Sequence, residues 1–173
     1  MTLVYRGGII KKGMKKLVIS MLLAGSLLCL AVLAEAAPVV GSTAPGLELS
    51  NLEGNIVSLY SYQSKKPVIL FFFTSWSKSC QSELADLRET YKSTNCEILA
   101  VSFDKKQKEL RSFISKEKIP FPVLVDKNLS LLDKFQVLIL PTTFCIGRDG
   151  VIEKIFVDYD DNVKKAVSAW LRS

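Results

Sequence analysis

One continuous apolar segment, residues 67–73, constrains the fold of this chain more than any other feature. Such a run is typical of a β-strand that is covered on both faces. A turn that carries Trp76 follows it, and apolar side chains then recur at helical spacing. These side chains are Cys80, Leu84, Leu87 and Tyr91. The order predicts a buried strand, a turn and an amphipathic helix.

Further strands and helices alternate along the rest of the chain. Apolar runs predict strands over residues 47–52, 56–59, 96–103, 121–125, 141–146 and 151–157. Helical spacing predicts helices over residues 106–118, 130–135 and 161–171. We therefore expect an α/β fold with a mixed central sheet that is covered by helices on both faces and preceded by a β-hairpin.

The N-terminus has the pattern of an export signal. Basic residues precede an uncharged apolar run over residues 17–33, and Ala-Glu-Ala ends at Ala36. This pattern predicts a signal peptide over residues 1–36, with Met14 as an alternative start, and a location in the periplasm or elsewhere outside the cytoplasm. The alternative is an uncleaved membrane anchor, because the run reaches the short end of the roughly 17–25 residues that span a bilayer.

Charge and composition exclude several classes of function. The formal net charge is +6, but the basic residues that create most of it precede residue 17. Residues 37–173, predicted to form one domain, are nearly balanced in charge, so we expect no nucleic-acid partner and no membrane contact except through an uncleaved N-terminus. The chain has no histidine, which removes Cys–His pairs, Ser-His-Asp triads and nearly all catalytic zinc sites. We predict no metal and no other cofactor.

Three cysteines remain once Cys29 is removed with the signal: Cys80, Cys96 and Cys145. An odd number in an oxidising compartment leaves at least one thiol free or paired with another molecule. Cys96 starts a predicted buried strand and Cys145 lies within another. Both are predicted to be inert core thiols.

Two motifs, in order, carry a family resemblance. Residues 76–80, Trp-Ser-Lys-Ser-Cys, lie at a strand-to-helix junction, and residues 140–144, Leu-Pro-Thr-Thr-Phe, begin a later strand. With residues 121–126 and the Arg-Asp-Gly turn at 148–150, they make the chain resemble the thioredoxin superfamily, and most of all its exported TlpA/ResA-type, redoxin-like branch.

The resemblance implies a thioredoxin-like three-layer α/β/α fold over residues 37–173. It also implies that Pro141 follows a cis peptide bond and faces the redox motif. The implied function is a thiol–disulfide oxidoreductase, which contributes to cell redox homeostasis and whose partners are cysteine-containing proteins or a redox partner protein. The implied client-binding residues are Trp76, Leu140, Pro141 and Thr142.

The motif departs from the family at the position that matters most for chemistry. Ser77 stands where the family has its attacking cysteine, and Cys80 stands where it has the buried, resolving one. A serine hydroxyl cannot form a disulfide, so dithiol cycling is predicted to be lost and Ser77 to cap the helix. Chemistry is then monothiol through Cys80, unless that thiol is simply part of the core. Phe71 occupies the position of the buried carboxylate of cytoplasmic thioredoxins.

Two alternatives from other functional classes stay open. A peroxiredoxin-like peroxidase that uses Cys80 is suggested by Glu83, because that family carries Thr-x-x-Cys followed by a glutamate. However, Pro141 lies where that family supplies an arginine. The other alternative is a non-catalytic binding module, in which the groove beside Pro141 pairs with an extended client peptide by strand addition.

Overall fold

The computed structural model describes residues 37–172, which form two β-sheets and four α-helices. The predictions of a signal peptide, a cleavage site and an alternative membrane anchor fall on residues 1–36, outside the described residues. Between residues 37 and 172, no helix combines the length and the apolar character that a membrane crossing requires.

The predicted elements are present, most of them shortened by a residue or two. The strands are β1 (Glu48–Ser50), β2 (Ile56–Ser58), β3 (Val68–Phe73), β4 (Glu97–Ser102), β5 (Val123–Val125), β6 (Thr142–Ile146) and β7 (Ile152–Val157). The helices are α1 (Lys78–Tyr91), α2 (Gln107–Glu117), α3 (Ser130–Phe135) and α4 (Asp161–Trp170). A 3-10 turn over Leu59–Ser61 follows the hairpin.

The central sheet has five strands in the order β5-β4-β3-β6-β7. The β3, β4 and β5 strands are parallel, since α1 and α2 carry the chain back between them, and β6 is antiparallel to both β3 and β7. The β1 and β2 strands form a separate antiparallel hairpin. The mixed sheet and the N-terminal hairpin confirm the predicted α/β architecture.

Both faces of the sheet are covered, as the uninterrupted apolar run of β3 predicted. Ile69, Phe71 and Phe73 pack in one cluster with apolar side chains of α1, α2 and α4. Leu70 and Phe72 pack in a second cluster, together with side chains of α3 and the hairpin. Because successive side chains of a strand point to opposite faces, burial on both sides gives the three layers.

The topology brings two distant segments to one end of the sheet. The end of β3 leads through residues 74–77 into α1, and the start of β6 pairs beside it in the register Phe72↔Thr142. The start of α1 and the loop before β6 therefore lie next to each other. The Leu140–Pro141 peptide bond in this loop is cis, as predicted.

Candidate thiol site

Ser77 is the N-cap of α1. Its backbone is extended, with φ −80° and ψ 127°, and its side-chain oxygen accepts a hydrogen bond from the Cys80 N–H at 3.4 Å. This is the geometry by which a serine satisfies one of the free N–H groups at a helix start. The predicted capping role of Ser77 is confirmed.

A Ser77→Ala variant is expected to be less stable than the wild type by about 1 kcal/mol, because the Cys80 N–H loses its acceptor. Urea unfolding at neutral pH measures the difference. A Ser77→Asp variant is the matched control, since aspartate caps helices equally well and its charge suits a helix N-terminus. Equal stability of the alanine variant and the wild type would contradict the capping role.

Cys80 lies one turn into α1 and is completely buried, with 0% of its surface exposed. Burial raises the pKa of its thiol, and the Glu83 carboxylate adds to this effect. The polar groups of Ser77 and Thr74 act in the opposite direction and do not cancel this effect. The thiol is therefore protonated at neutral pH, which confirms the prediction that it is less exposed and less acidified than an attacking cysteine.

Thr74 places an unused hydrogen-bond donor beside this thiol. Its hydroxyl oxygen is buried, and it makes no hydrogen bond to any group within the described residues. The hydroxyl and backbone of Thr74 nonetheless act to lower the pKa of Cys80, which means that they favour the thiolate. Thr74 therefore favours the thiolate form of Cys80 and carries a buried hydroxyl without a partner among the described residues.

Glu83 supplies a buried carboxyl group that the sequence interpretation did not place. It lies on α1 with 1% exposure and accepts a hydrogen bond of 2.5 Å from the Thr143 hydroxyl on β6. Burial, with smaller contributions from Asp86 and Asp158, raises the pKa of Glu83 to about 8, although the Thr143 hydroxyl opposes the shift. Residue 71, where cytoplasmic thioredoxins have a buried carboxylate, is a phenylalanine here, and the buried carboxyl group is that of Glu83 on α1. The position of Glu83, three residues after Cys80 on α1, was the sequence signal that could have indicated its burial.

Asp104 and Asp158 hold the two segments that surround the thiol, and neither role was predicted from the sequence. The Asp104 carboxylate accepts hydrogen bonds of 2.8 Å from both the N–H and the hydroxyl of Ser75, which fixes the turn before α1. The Asp158 carboxylate accepts a 2.9 Å hydrogen bond from the Ser79 hydroxyl. The Asp158 N–H donates to the Pro141 carbonyl oxygen at 2.8 Å.

The predicted client-binding residues differ in how accessible they are. Trp76 is 75% exposed and Leu140 is half-buried, whereas the side chains of Pro141 and Thr142 are buried. The accessible apolar surface of the Pro141 loop comes instead from Leu138, which is 92% exposed, and from its neighbour Ile139. These two residues were not predicted from the sequence.

The other two cysteines have core positions. Cys96 and Cys145 are buried and, like Cys80, free. Burial raises the pKa of Cys96 to about 12 and raises that of Cys145 further still. Within residues 37–172, no group of histidine, cysteine, aspartate and glutamate side chains is arranged to hold a metal ion.

Comparisons with known proteins agree with this geometry. A sequence model of the AhpC/TSA family matches residues 40–155. The thiol-disulfide oxidoreductase ResA of Geobacillus thermodenitrificans is 36% identical over 119 residues, which are 67% of this chain and 68% of the relative.

Two solved structures share the fold. The structure of StoA from Bacillus subtilis has a TM-score of 0.62 at 23% identity, and the match covers 73% of this chain and 96% of the StoA chain. The structure of peroxidoxin BcpB from Mycobacterium tuberculosis has a TM-score of 0.68 at 22% identity, and the match covers 78% of this chain and 97% of the BcpB chain. Both identities are low enough that these likenesses concern the fold alone.

Proposed function

Since the chain belongs to the AhpC/TSA family and resembles its ResA-type thiol–disulfide oxidoreductases, we propose that it is an exported member whose chemistry is monothiol. Cys80 is the reacting group and Ser77 is a cap that cannot resolve what Cys80 forms. The observation that carries the proposal is the placement of the Ser77 oxygen at the helix start, hydrogen-bonded to the backbone of the only cysteine in the motif.

The reaction that follows is thiol exchange with a client disulfide. The Cys80 thiolate attacks one sulfur of that disulfide, the client S–S bond breaks, a mixed disulfide forms and the second client sulfur leaves as a thiolate. A dithiol site would then release the client by attack from its own second thiol. The Ser77 hydroxyl cannot make that attack, so release requires a thiol from outside the protein, and no net oxidation or reduction occurs until that thiol reacts.

Buried groups around Cys80 support proton transfer during this step. The thiol must lose a proton before it attacks, and the raised pKa of Glu83, about 8, allows that carboxyl group to exchange protons near neutral pH. The hydroxyl and backbone of Thr74 favour the thiolate that results. Among the described residues, no cationic group acts to lower the pKa of Cys80. This disfavours a peroxidatic role, because peroxidatic thiols are acidified by a nearby positive charge.

The exposed apolar side chains around the site support a protein client. Trp76 and Leu138 expose most of their surfaces, and Ile139 about half of its own. Exposed aromatic and aliphatic side chains of this kind contribute to protein interfaces. Export is supported by the basic and apolar pattern of residues 1–36.

The test is a trapping experiment on the mature protein with a peptide whose cysteine is activated as a thionitrobenzoate disulfide. We expect one adduct, at Cys80, that persists until external thiol is added. A Cys80→Ser variant should form no adduct, and a Cys96→Ser variant, the matched control, should react like the wild type. Release of peptide without added thiol, or reaction at Cys96 or Cys145, would refute the monothiol mechanism.

A client-binding module without chemistry is the second candidate, favoured by the complete burial of Cys80. In that case the peptide binds but no adduct forms. Tryptophan fluorescence reports binding separately from the reaction, since Trp76, one of two tryptophans, lies four residues before Cys80 and is exposed. A change in fluorescence that is the same in the wild type and in the Cys80→Ser variant, with no adduct in either, would select this candidate.

A further inference from the structure

Cys80 can react only if the structure around it opens. Its thiol has no exposed surface, and it packs in the same cluster as Leu140, at the end of the sheet where α1 meets the Pro141 loop. A reagent or a client therefore reaches the sulfur only when the start of α1 and that loop separate locally. Interactions across this junction control how often that happens.

Asp158 connects both sides of the junction. It follows β7, and its carboxylate accepts the hydrogen bond of Ser79, the residue immediately before Cys80. Its own N–H donates to the Pro141 carbonyl oxygen. Asp158 thus connects the first turn of α1, which carries the thiol, to the Pro141 loop beside it.

The backbone of Asp158 has an uncommon conformation. Its φ is 65°, in the left-handed region that favours glycine. Aspartate tolerates that region better than most residues, because its side chain can bond locally, as here to the Tyr159 N–H at 2.8 Å. A residue that adopts a strained conformation and also bonds to a functional turn is a candidate for a role beyond folding.

We propose that Asp158 is a positioning residue that limits access to Cys80 by holding the first turn of α1 through the Ser79 hydroxyl. The proposal rests on Cys80 being the reacting group. The charged groups around this junction include Asp86 and Glu83 of α1, Asp158 itself and, on α4, Lys164, which pairs with Asp86 at 2.9 Å. None of these replaces the hydrogen bond that Asp158 accepts from Ser79.

The test measures the rate at which a small thiol reagent labels Cys80 in the folded mature protein, with the site identified by mass spectrometry. Ser79→Ala and Asp158→Gly both remove the side-chain hydrogen bond, and we expect each to raise the rate about three- to tenfold, the effect of one net hydrogen bond on an opening equilibrium. The double variant should be no faster than either single one.

Two further comparisons separate positioning from general stability. Asp158→Asn keeps an acceptor oxygen and should label at about the wild-type rate. Asp158→Gly relieves the positive φ, so its melting temperature should not fall although its labelling is faster. The proposal is overturned if Ser79→Ala and Asp158→Gly label at the wild-type rate, if Cys80 is unlabelled in every variant, or if faster labelling only follows a lower melting temperature. Small-reagent labelling needs no client, so failure here is distinct from failure to form the peptide adduct.

Discussion

The wild-type protein is expected to lose about 4 kcal/mol of unfolding free energy between pH 4.5 and pH 8, and a Glu83→Gln variant is expected to keep most of it. The pKa of Glu83 rises from 4.5 to about 8 on folding, mainly because the carboxyl group is buried. Between these two pH values the folded state holds a proton that the unfolded state has lost. The contribution to stability is therefore complete below pH 4.5 and is lost as the pH rises towards about 8, at up to ~1.36 kcal/mol for each pH unit.

Urea unfolding at intervals from pH 4.5 to pH 9 measures this effect. Glutamine keeps the shape and an acceptor oxygen for the Thr143 hydroxyl but cannot ionise, so the curve of the variant should be flatter and should cross that of the wild type. Glu89→Gln is the matched control on the same helix, because the Glu89 side chain is 74% exposed. Parallel curves for the wild type and Glu83→Gln would show that Glu83 is not the titrating group.

The sequence was sufficient for the architecture because the decisive signals are local. Residues 67–73 are apolar without interruption, and the structure buries every residue of β3. Ser77 is a good capping residue immediately before an amphipathic pattern, and it caps α1. In each case, the residue type and its immediate neighbours determine the outcome.

The features that the sequence did not reveal depend on contacts between distant segments. The spacing of Glu83 from Cys80 indicates which face of α1 it lies on, but nothing near Glu83 indicates that Thr143 of β6 will hydrogen-bond with it. Asp158 likewise acquires its role from Ser79, on a different element. Polar contacts of this kind can be predicted only when the sheet order is known. The environment of the thiol was therefore less predictable than its position.

A Ser77→Cys variant is expected to gain a dithiol activity, which the proposed monothiol mechanism does not give the wild type. With no thiol added, the prereduced Ser77→Cys protein should reduce insulin disulfides and end as an internal disulfide, while the prereduced wild type forms only a mixed disulfide and stays at background. The new thiol lies at a helix N-terminus, where the macrodipole and free N–H groups lower its pKa. Each unit of lower pKa raises the thiolate fraction about tenfold and lowers the nucleophilicity about threefold, so the net gain in attack rate is about threefold per unit.

The buried thiol of Cys80 completes the cycle in this variant. Once the new thiol of the Ser77→Cys protein has formed a mixed disulfide with the client, Cys80 attacks that disulfide and the client leaves as a dithiol. The protein then holds an internal disulfide. A Ser77→Cys/Cys80→Ser protein should trap the client without turnover, and Ser77→Thr should gain nothing.

Two outcomes of the insulin assay would change the interpretation of the site. Insulin reduction by the wild type at the rate of Ser77→Cys would mean that Cys80 has another resolving partner. A folded Ser77→Cys protein without activity would mean that the junction held by Asp158 and Ser79 keeps Cys80 from resolving the mixed disulfide. In that case, adding Asp158→Gly to the Ser77→Cys protein should restore turnover, because it removes the hydrogen bond that fastens the first turn of α1.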